Sequence, residues 1–565
     1  MRARQSKDGI SVHAISGMHV VMLGLDATEE ARRGLLGFAI RRIDHTENAD
    51  YWLYGGKVFR SVLPNLDLDG PPISTLDHPI QSFLWSDYTA KPDHRYTFVI
   101  RPMRGRPGAL APGPDVEVTI ATEGEDDGVH AIYFNRGAIT SQAYSRKYGS
   151  SKPPEPFNPS HPQTAWLSRG LLEAAIGFVD RVERGEELRV AAYELHYPPI
   201  LEAFVRAHAR GVDVKVSYEA GQQKVKGVLK PTSTTKANLR AIEAHRVPDA
   251  ILIERTRRKA IPHNKFMVRV AGGVAQEVWT GSTNFTMSGF LGQSNVGHLV
   301  RDPAVASQYL AYWIELAHDR DWAPLRAFVM ANSPRPEAEL PLGDTVLLSP
   351  RTRSKMLDWY SDRIRAAGHS VMFTAAFGVN KKLVPAFAEN RDFLRFILTE
   401  KDARPETAAL FRRDRDLLIA KGSTLGRDAF QRKIPGWELD KWFHDEEHYR
   451  GTRGHIFYVH TKYCMIDPLG DDPQLFTGSA NFSSASLLRN DENMLLIRGN
   501  RRVCDIYLTE FDRLFRHFWF RQFANQARGR GTAANRAKFL AEDDRWTKPA
   551  YTNGNFKQRR RKMFA

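Results

Sequence analysis

Two stretches of the sequence repeat the same residues at the same spacing, and they decide how the rest of the chain is interpreted. The first reads His263-Asn-Lys265 and then Gly281-Ser-Thr-Asn-Phe285. The second reads His460-Thr-Lys462 and then Gly478-Ser-Ala-Asn-Phe482. Every position of the second stretch lies 197 residues after its counterpart, as 460 follows 263, with no gap between the patterns. A single His-x-Lys triplet is common by chance, but two copies in step predict an internal duplication.

The repeated residues suit a site for a phosphate group. A His and a Lys two positions apart on a strand point to the same face, so the lysine can hold a phosphate oxygen while the imidazole faces phosphorus. Turns at Gly281 and Gly478 are expected to present further hydrogen-bond donors to the phosphoryl oxygens. These expected donors are Ser282, Asn284, Ser479 and Asn481. Two such sets around one phosphate would stabilise a transition state whose charge is spread over its oxygens.

The pattern around each motif copy alternates between helix and strand. In the first half, residues 171–182 and 199–208 have helical apolar spacing, and residues 188–195 and 212–218 read as strands. The same order returns in the second half, with helices at 355–365 and 383–389 and strands at 370–377 and 394–399. This alternation predicts a parallel sheet built from βαβ units in each half.

The first 146 residues have a different character. Short apolar runs are separated by Gly, Pro and Asp at the spacing of a β-sandwich, and the segment from Trp85 to Ile100 resembles the late strands of a fibronectin type III or immunoglobulin-like domain. Residues 147–163, rich in Pro and Ser, are predicted to be a linker. Residues 526–565 are predicted to be a basic C-terminal tail, with Lys557–Lys562 as an exposed arm.

Composition narrows the class of protein. No stretch approaches the roughly 20 apolar residues of a membrane span, and the N-terminus lacks the apolar core of a signal peptide, so cytoplasmic residence is expected. The two cysteines, Cys464 and Cys504, lie in apolar segments and are predicted to be buried free thiols.

The paired motif is the hallmark of the phospholipase D superfamily, in which H-x-K-x4-D is followed by Gly-Ser-x-Asn, normally twice. The second copy fits completely as far as Asp467, whereas Val270 stands where the first copy should have an aspartate. The resemblance spans roughly residues 164–523. It implies two pseudo-symmetric α/β/α lobes, at 164–345 and 346–525, with the site at their interface. It also implies catalysis through a covalent phosphohistidine, without a metal or other cofactor.

The types of residue in the predicted site also argue against a bound metal ion. The predicted site gathers imidazoles, ammonium groups and amides, with few of the carboxylates that Mg²⁺ or Ca²⁺ prefer. A zinc site would not place two lysines beside its ligands.

The two halves differ 32 residues after each motif histidine, where the first has Asn295 and the second Glu492. In the family resembled, an acidic residue here accepts a hydrogen bond from the ring nitrogen that faces away from substrate. We therefore expect Glu492 to stabilise the imidazolium of His460, and Asn295 to orient His263 without adding charge. This predicts His263 as the nucleophile and His460 as the general acid. Alternatively, Asn295 and Glu492 are loop residues at matching offsets.

The motif leaves the substrate open. The formal net charge of +16, with an isoelectric point near 9.7, and a Lys/Arg-dense stretch at 220–262 favour nucleic acid. Aromatics ahead of the second motif, Trp437, Trp442, Phe443 and Tyr449, could stack on unpaired bases. The runner-up is a phospholipase D acting on phospholipid headgroups, since basic patches also bind anionic bilayers. A third interpretation is a non-catalytic binding protein. In each case the N-terminal domain could recruit a protein partner, and the oligomeric state is open.

Overall fold

The protein is a mixed α/β structure with its strands gathered into separate sheets. The computed structural model describes residues 1–65, 72–137, 144, 147–148, 153–256, 261–336, 339–422, 458–528 and 539–565. The aromatic residues at 437–449 lie outside these ranges, as do Arg257, Arg258 and Lys259 of the basic stretch.

The N-terminal region forms two antiparallel sheets around one apolar core. The first sheet has four strands in the order Arg2–Lys7, Ile10–Ser16, Val21–Ala27 and Leu84–Asp87. The second has Ala109–Pro112, Arg95–Arg106, Gly37–Asp44 and Ala49–Trp52, with Val116–Ala121 also paired to Arg95–Arg106. Side chains from both sheets, among them Leu23, Phe38 and Phe98, are buried together. The predicted β structure of this region is confirmed.

Two larger sheets follow, and each has seven strands. The first runs His130–Phe134, Val296–Val300, Val274–Gly281, Lys265–Ala271, Glu187–Ala192, Asp213–Glu219 and Leu252–Arg255. The second runs Gly343–Ser349, Glu492–Arg498, Gln474–Gly478, Tyr463–Ile466, Val371–Ala375, Arg395–Thr399 and Leu417–Lys421. In both sheets the strand that starts at or just after the motif lysine occupies the fourth, central position. The two sheets therefore have the same strand order.

Neither seven-stranded sheet is parallel throughout, so that part of the sequence prediction is wrong. In the first sheet Glu187–Ala192, Asp213–Glu219 and Leu252–Arg255 are parallel to one another. The motif strand Lys265–Ala271 runs antiparallel to Glu187–Ala192. The remaining strands follow it by antiparallel pairing. The βαβ alternation correctly marked the parallel strands, but the hairpin that follows each motif reverses direction.

Helices cover the sheets and close the chain. Those in the first half are Pro162–Ser168, Leu171–Asp180, Pro198–Ala209, Ser233–Ala244, Pro303–Ala317 and Trp322–Asn332. Those that follow are Lys355–Arg365, Val384–Ala388, Pro405–Phe411, Ser484–Leu488, Arg501–Arg528 and Phe556–Phe564. Short helical turns lie at Glu29–Arg32, Asp249–Ile251, Ser288–Gly292 and Asp544–Ala550. An exposed hairpin of Gln222–Val225 and Val228–Pro231 projects before Ser233–Ala244, and a further short pair joins Tyr54–Gly55 to Ile73–Ser74.

Two predicted boundaries need correction. The strand His130–Phe134, placed by sequence in the N-terminal domain, pairs with Val296–Val300 at the edge of the first seven-stranded sheet. Helix Pro162–Ser168 begins inside the predicted linker. Sheet membership is set by pairing partners far away in the chain, and a local apolar pattern does not contain that information.

The basic C-terminal segment is not an exposed arm. Helix Phe556–Phe564 packs on the N-terminal sheet, where the Phe564 carbonyl oxygen lies 3.0 Å from His13 Nδ1 and Arg561 Nη1 donates to Asp26 at 2.5 Å. Phe564 is buried, and Arg561 is buried beside it. The chain end therefore ties back to the first strands of the protein.

Both cysteines are buried free thiols, as predicted. Among the described residues, no helix has both the length and the apolar character needed to cross a membrane.

Candidate active site

Two backbone hydrogen bonds, one in each direction between the halves, bring the two motif copies together. The Ser294 N–H, next to Asn295 in the first half, donates to the Tyr458 carbonyl oxygen at 2.7 Å, two residues before His460. In the reverse direction, the Asp491 N–H, next to Glu492, donates to the Ile261 carbonyl oxygen at 3.1 Å, two residues before His263. Each histidine is therefore anchored beside the opposite half.

A glycine is needed at the start of each turn that follows the motif strands. Gly281 has a φ of +137°, and a Cβ added to it would lie 2.2 Å from the Val296 carbonyl oxygen. A Cβ on Gly478 would lie 2.4 Å from the Asn493 carbonyl oxygen. Any side chain would push the turns away from the strands that carry Asn295 and Glu492.

Each imidazole is bonded to an acceptor from the other half. His263 Nδ1 lies 2.8 Å from Glu492 Oε2, and His460 Nδ1 lies 2.8 Å from Asn295 Oδ1. The predicted pairing of Glu492 with His460 is therefore wrong, as is that of Asn295 with His263. The backbone hydrogen bonds between the halves place each acceptor beside the histidine of the opposite half. Equal offsets along the chain do not reveal this arrangement.

These contacts fix the tautomer of both rings. An ionised carboxylate only accepts hydrogen bonds, so His263 Nδ1 donates to Glu492. The Asn295 amide is oriented by its own Nδ2, which donates to the Gly289 carbonyl oxygen at 2.8 Å, so its Oδ1 is left to accept from His460. In both histidines Nε2 remains for the substrate.

The motif serines position the acceptors and do not face a phosphate. Ser282 Oγ donates to Asn295 Oδ1 at 2.8 Å, and Ser479 Oγ donates to Glu492 Oε2 at 2.8 Å. Both serines have no exposed surface. Since a hydroxyl has one hydrogen to donate, the prediction that Ser282 and Ser479 bind phosphate is wrong.

The motif asparagines lie nearer to the open space. Asn284 donates its amide to the Glu194 carboxylate. Asn481 lines a cavity together with His263, and its Oδ1 accepts no hydrogen bond from the described residues. The two asparagines are thus equivalent in sequence but different in their partners.

The motif lysines are buried and point along their own strands. Lys462 Nζ donates to the His460 carbonyl oxygen at 2.6 Å, and Lys265 Nζ makes the matching contact with His263. Burial lowers the pKa of Lys265 to about 8, partly offset by Glu492 and Glu194. Burial and the charge of Lys265 hold the pKa of Lys462 well below its usual value. Two neighbouring buried ammonium groups favour the binding of an anion between them.

Burial also decides the charge state of the histidines. It lowers the pKa of His263 to about 4, although the Glu492 charge acts in the opposite direction. The pKa of His460 is held well below its usual value by burial, and then by Lys462 and Lys265. Burial alone would raise the pKa of Glu492, but the charge and hydrogen bond of His263 keep it lowered. A bound phosphate between the lysines would reverse their effect and favour proton uptake by an imidazole.

The aspartate that the first motif lacks lies away from the histidines. Asp467 accepts the backbone N–H groups of Gly368, His369 and Ser370 at 2.7 to 2.8 Å, at the far end of the motif strand. In the first half, Val270 is buried, and the ion pair between Arg269 and Glu186 ties the corresponding loop to its strand. Asp467 therefore supports the sheet, and its loss at Val270 leaves the catalytic residues untouched.

Several site residues were missed at the level of sequence. The Tyr193 ring packs 5.2 Å from the His263 ring, and Lys265 Nζ lies 5.4 Å from the centre of the same tyrosine. Glu194 and the buried Glu219 are further carboxylates of this region, and burial raises the pKa of Glu219 to about 7. Their only signal was position, at or just after the carboxyl ends of predicted parallel strands, where ligands of α/β sheets bind.

Among the described residues, one group of side chains has the spacing of metal ligands. His, Asp and Glu atoms come together at Asp44, Glu47 and His94 in the N-terminal sheets. Asp44 there accepts from His94 and from the N–H groups of residues 46 and 47, as expected of an ordinary turn. Around the motif histidines, the carboxylate Glu492 is already held by His263 and Ser479.

A family model described as "Cardiolipin synthase, PLD-like domain" matches residues 181–316 and 432–515. The two matched segments contain both copies of the His-x-Lys motif, with Asn295 and Glu492. The chain is a member of the phospholipase D superfamily. No curated protein sequence gives a significant match.

Partial similarity to solved structures was also found. Polyphosphate kinase from Porphyromonas gingivalis is 12% identical, with a TM-score of 0.35, over 59% of this chain and 43% of that one. The phospholipase D family member Nuc from Salmonella typhimurium is 25% identical, with a TM-score of 0.21, over 26% of this chain and 89% of that one. Phosphatidylserine synthase from Haemophilus influenzae is 12% identical, with a TM-score of 0.39, over 66% of this chain and 94% of that one. The chain thus spans less than half of the polyphosphate kinase.

Proposed function

We propose that this protein is a metal-independent phosphodiesterase that works through a phosphohistidine on His263, with nucleic acid as the favoured substrate. The observation that carries the proposal is the crossed pair of hydrogen bonds. Both imidazoles have Nδ1 occupied by the opposite half and Nε2 left for the substrate, beside two buried lysines. This is an arrangement for one nucleophile, one proton carrier and one phosphate.

Glu492 supports His263 as the nucleophile for a reason different from the one given by sequence. As Nε2 bonds to phosphorus, the imidazole ring gains a positive charge, and the ionised carboxylate on Nδ1 stabilises that charge. The low pKa of His263 keeps its Nε2 lone pair available above about pH 4. Neutral Asn295 offers His460 no such stabilisation, so His460 is suited to give up its proton.

The reaction balances in two steps. When the substrate phosphate binds between the lysines, His460 takes up a proton on Nε2 from solvent and becomes an imidazolium. His263 Nε2 then attacks phosphorus, the bond from phosphorus to the leaving oxygen breaks, and the Nε2–H of the His460 imidazolium protonates that oxygen. In the second step, His460 takes a proton from water, the water oxygen attacks phosphorus, and the phosphorus–nitrogen bond breaks. The products are a phosphomonoester and an alcohol, and both histidines return to their starting state. Lys265 and Lys462 neutralise the phosphoryl oxygens throughout.

Nucleic acid is favoured by the strongly basic chain and by the polar cavity beside His263. That cavity is lined by Gln222, Gln223, Thr232, Arg489 and Asn490, which offer donors and acceptors. A second candidate, cleavage of phospholipid headgroups, is favoured by the hairpin near the cavity. Its exposed tip combines Val228 and Leu229 with lysines, as in segments that dock on anionic bilayers.

The domain roles follow from the same interpretation. We propose that residues 164–345 and 346–525 act as pseudo-symmetric lobes around one site, supported by the identical strand order of their sheets. We also propose that the N-terminal sheets form an immunoglobulin-like or fibronectin-like adaptor for a protein partner.

One experiment tests the reaction type and the substrate together. Purified protein is incubated in EDTA with single-stranded DNA, duplex DNA, RNA and phosphatidylcholine vesicles, with His263→Gln as the control. We expect cleavage of nucleic acid that EDTA does not affect and that the control lacks. Loss of all activity in EDTA would contradict the metal-independent mechanism, and choline release with intact nucleic acid would favour the second candidate.

A further inference from the structure

Besides Asn295 and Glu492, the two halves differ at a further pair of equivalent positions near the site. Ala192 pairs with Lys265, and Thr374 pairs with Tyr463, so Ala375 stands opposite Lys462 in the same register. Two residues beyond these alanines the first half has Glu194 and the second has Phe377. A charged residue and an aromatic residue thus occupy equivalent places at the ends of equivalent strands.

This difference changes the surroundings of the two motif asparagines. In the first half, Glu194 accepts the amide of Asn284. In the second half, Phe377 has no carboxylate to offer to the Asn481 amide. The Oδ1 atoms of both asparagines accept no hydrogen bond from the described residues. A cavity of about 430 Å³ opens here, lined by Phe377, Asn481 and His263, and we name it the His263 cavity. Its volume is within the range of pockets that enclose a small ligand.

A second hollow is also lined by Phe377. It measures about 700 Å³ and is lined by residues 378–381, Val384, residues 401–404, Glu406 and Thr407, and we name it the Lys381 hollow. Its exposed charged residues are the basic Lys381, Lys401 and Arg404 and the acidic Asp402 and Glu406, which leaves an excess of positive charge. Lys401 Nζ lies 5.4 Å from the centre of the Phe377 ring. Phe377 is the residue shared by both spaces, and 44% of its surface is exposed.

An exposed aromatic ring between a polar cavity and a basic hollow matches the chemistry of an unpaired nucleic-acid strand. Bases stack on aromatic rings in single-strand binding sites, and lysines and arginines track the phosphates. Gln222, Gln223 and Asn490 in the His263 cavity offer amides that can bond to base edges.

We propose that Phe377 is the stacking platform for a base of a single-stranded nucleic acid, whose backbone runs from the His263 cavity over Phe377 to the Lys381 hollow. The inference rests on the proposed phosphodiesterase function and adds a subsite that determines specificity. It places the scissile phosphate at His263 and at least one further nucleotide beyond the ring. Duplex DNA would be a poorer substrate, because paired bases do not offer their faces.

Binding is measured first, so that the result does not depend on turnover. In the His263→Gln background, a fluorescent single-stranded oligonucleotide is titrated by anisotropy. Phe377→Ala is expected to weaken its affinity about 10- to 100-fold, while Phe377→Trp keeps it close to the parent. Leu342→Ala, which truncates an exposed apolar residue directly before strand Gly343–Ser349, serves as the matched control and should change nothing. Equal binding by Phe377→Ala and its parent would overturn the proposal.

Two further readouts separate stacking from a general loss of structure. Oligonucleotides with single abasic sites should reveal one position at which removal of the base costs no additional affinity in Phe377→Ala. Lys381→Ala with Arg404→Ala should reduce the slope of log affinity against log salt by about 1.4, while Lys548→Ala leaves it unchanged. If every abasic site costs the same in parent and variant, Phe377 does not contact a base.

Turnover distinguishes failure of the subsite from failure of the proposed function. In the active background, Phe377→Ala should lose 10- to 100-fold more kcat/KM with the oligonucleotide than with methyl p-nitrophenyl phosphate. Cleavage of the small diester and of vesicles, but not of oligonucleotides, would leave the phosphodiesterase chemistry standing and overturn the Phe377 subsite. No cleavage of any diester would contradict the proposed function itself.

Discussion

The two halves of this molecule carry the same motif on sheets with the same strand order, yet they give their histidines different partners. His263 is bonded to a carboxylate and His460 to an amide, and each partner comes from the opposite half. A duplicated site with identical halves would have no means of deciding which imidazole attacks. The crossed partners supply that decision, because only one ring has a negative charge ready to stabilise the positive charge of a phosphohistidine.

The largest expected effect is on activity, and its dependence on the leaving group should differ between the variants of the two histidines. His263→Gln should remove activity, by about 10³-fold or more, on any diester, because no nucleophile remains. His460→Gln should cost a similar factor on substrates with an alkoxide leaving group. With p-nitrophenyl diesters the first step should be slowed much less, since p-nitrophenolate leaves without protonation, whereas hydrolysis of the phosphohistidine stays slow. The burst of leaving-group release, measured before the steady state on the two substrate types, checks this, and an equal loss of burst rate for both variants on both substrates would contradict the division of roles.

The next effect compares the two partners. Glu492→Gln should reduce kcat about 10²- to 10⁴-fold, because the charge that stabilises the imidazolium of His263 is lost. Asn295→Ala should reduce kcat only about tenfold, as expected for one neutral hydrogen bond. The measurement is kcat on p-nitrophenyl diesters, with circular dichroism to confirm folding. A larger loss in Asn295→Ala than in Glu492→Gln would reverse the assignment of nucleophile.

A third comparison concerns the sheets and not the chemistry. Asp467→Ala should lower the free energy of unfolding by about 1–3 kcal/mol, because three backbone N–H groups lose their acceptor. Its kcat/KM should stay at the parent value. Arg269→Ala breaks the partly buried ion pair with Glu186 that serves the first half, and it should cost about 1 kcal/mol. Denaturant titrations measure both, and a loss of activity without a loss of stability in Asp467→Ala would place Asp467 in the site.

The smallest effect is a pH dependence of stability. The pKa of His263 in the folded protein, about 4, lies below its unfolded value near 6.5, so the folded state binds fewer protons in this window. Stability is therefore present above pH 6.5 and is lost as the pH falls towards 4. Between pH 7 and pH 5 the His263 contribution amounts to about 2 kcal/mol. Between pH 7 and pH 5, the free energy of unfolding should fall by about 2 kcal/mol less in His263→Gln than in the parent. If denaturant titrations gave parallel curves of this free energy against pH, His263 would not be buried in its neutral form.

Local structure could be predicted from sequence because it depends on local patterns. Strands such as Val371–Ala375 and helix Lys355–Arg365 appeared within one or two residues of their expected positions. His130–Phe134 was recognised as neither a separate strand nor part of the first large sheet, because its partner is Val296–Val300, far along the chain. Pairing across such a distance leaves no periodic signal.

Which residues come together at the site could also be predicted from the sequence, but the hydrogen bonds between them could not. His263, Lys265, His460 and Lys462 do come together, as the duplication suggested. The partners were exchanged because the contacts span 229 and 165 residues, and matching offsets from each motif suggested contacts within a half. The serines were misplaced for a related reason, since a hydroxyl beside a glycine turn can donate inwards or outwards with the same sequence. Phe377 and Glu194 carry no motif and were found only from their shared register.

The most direct test of the division of roles is to trap the covalent intermediate. His460→Gln lacks the group that activates water, so after reaction with methyl p-nitrophenyl phosphate it should accumulate the phosphorylated enzyme. Alkaline quenching, proteolysis and mass spectrometry then locate the modified residue. The crossed arrangement predicts the methylphosphoryl group on His263 in His460→Gln and no labelled peptide in His263→Gln. A label on His460 in the His263→Gln protein would contradict it.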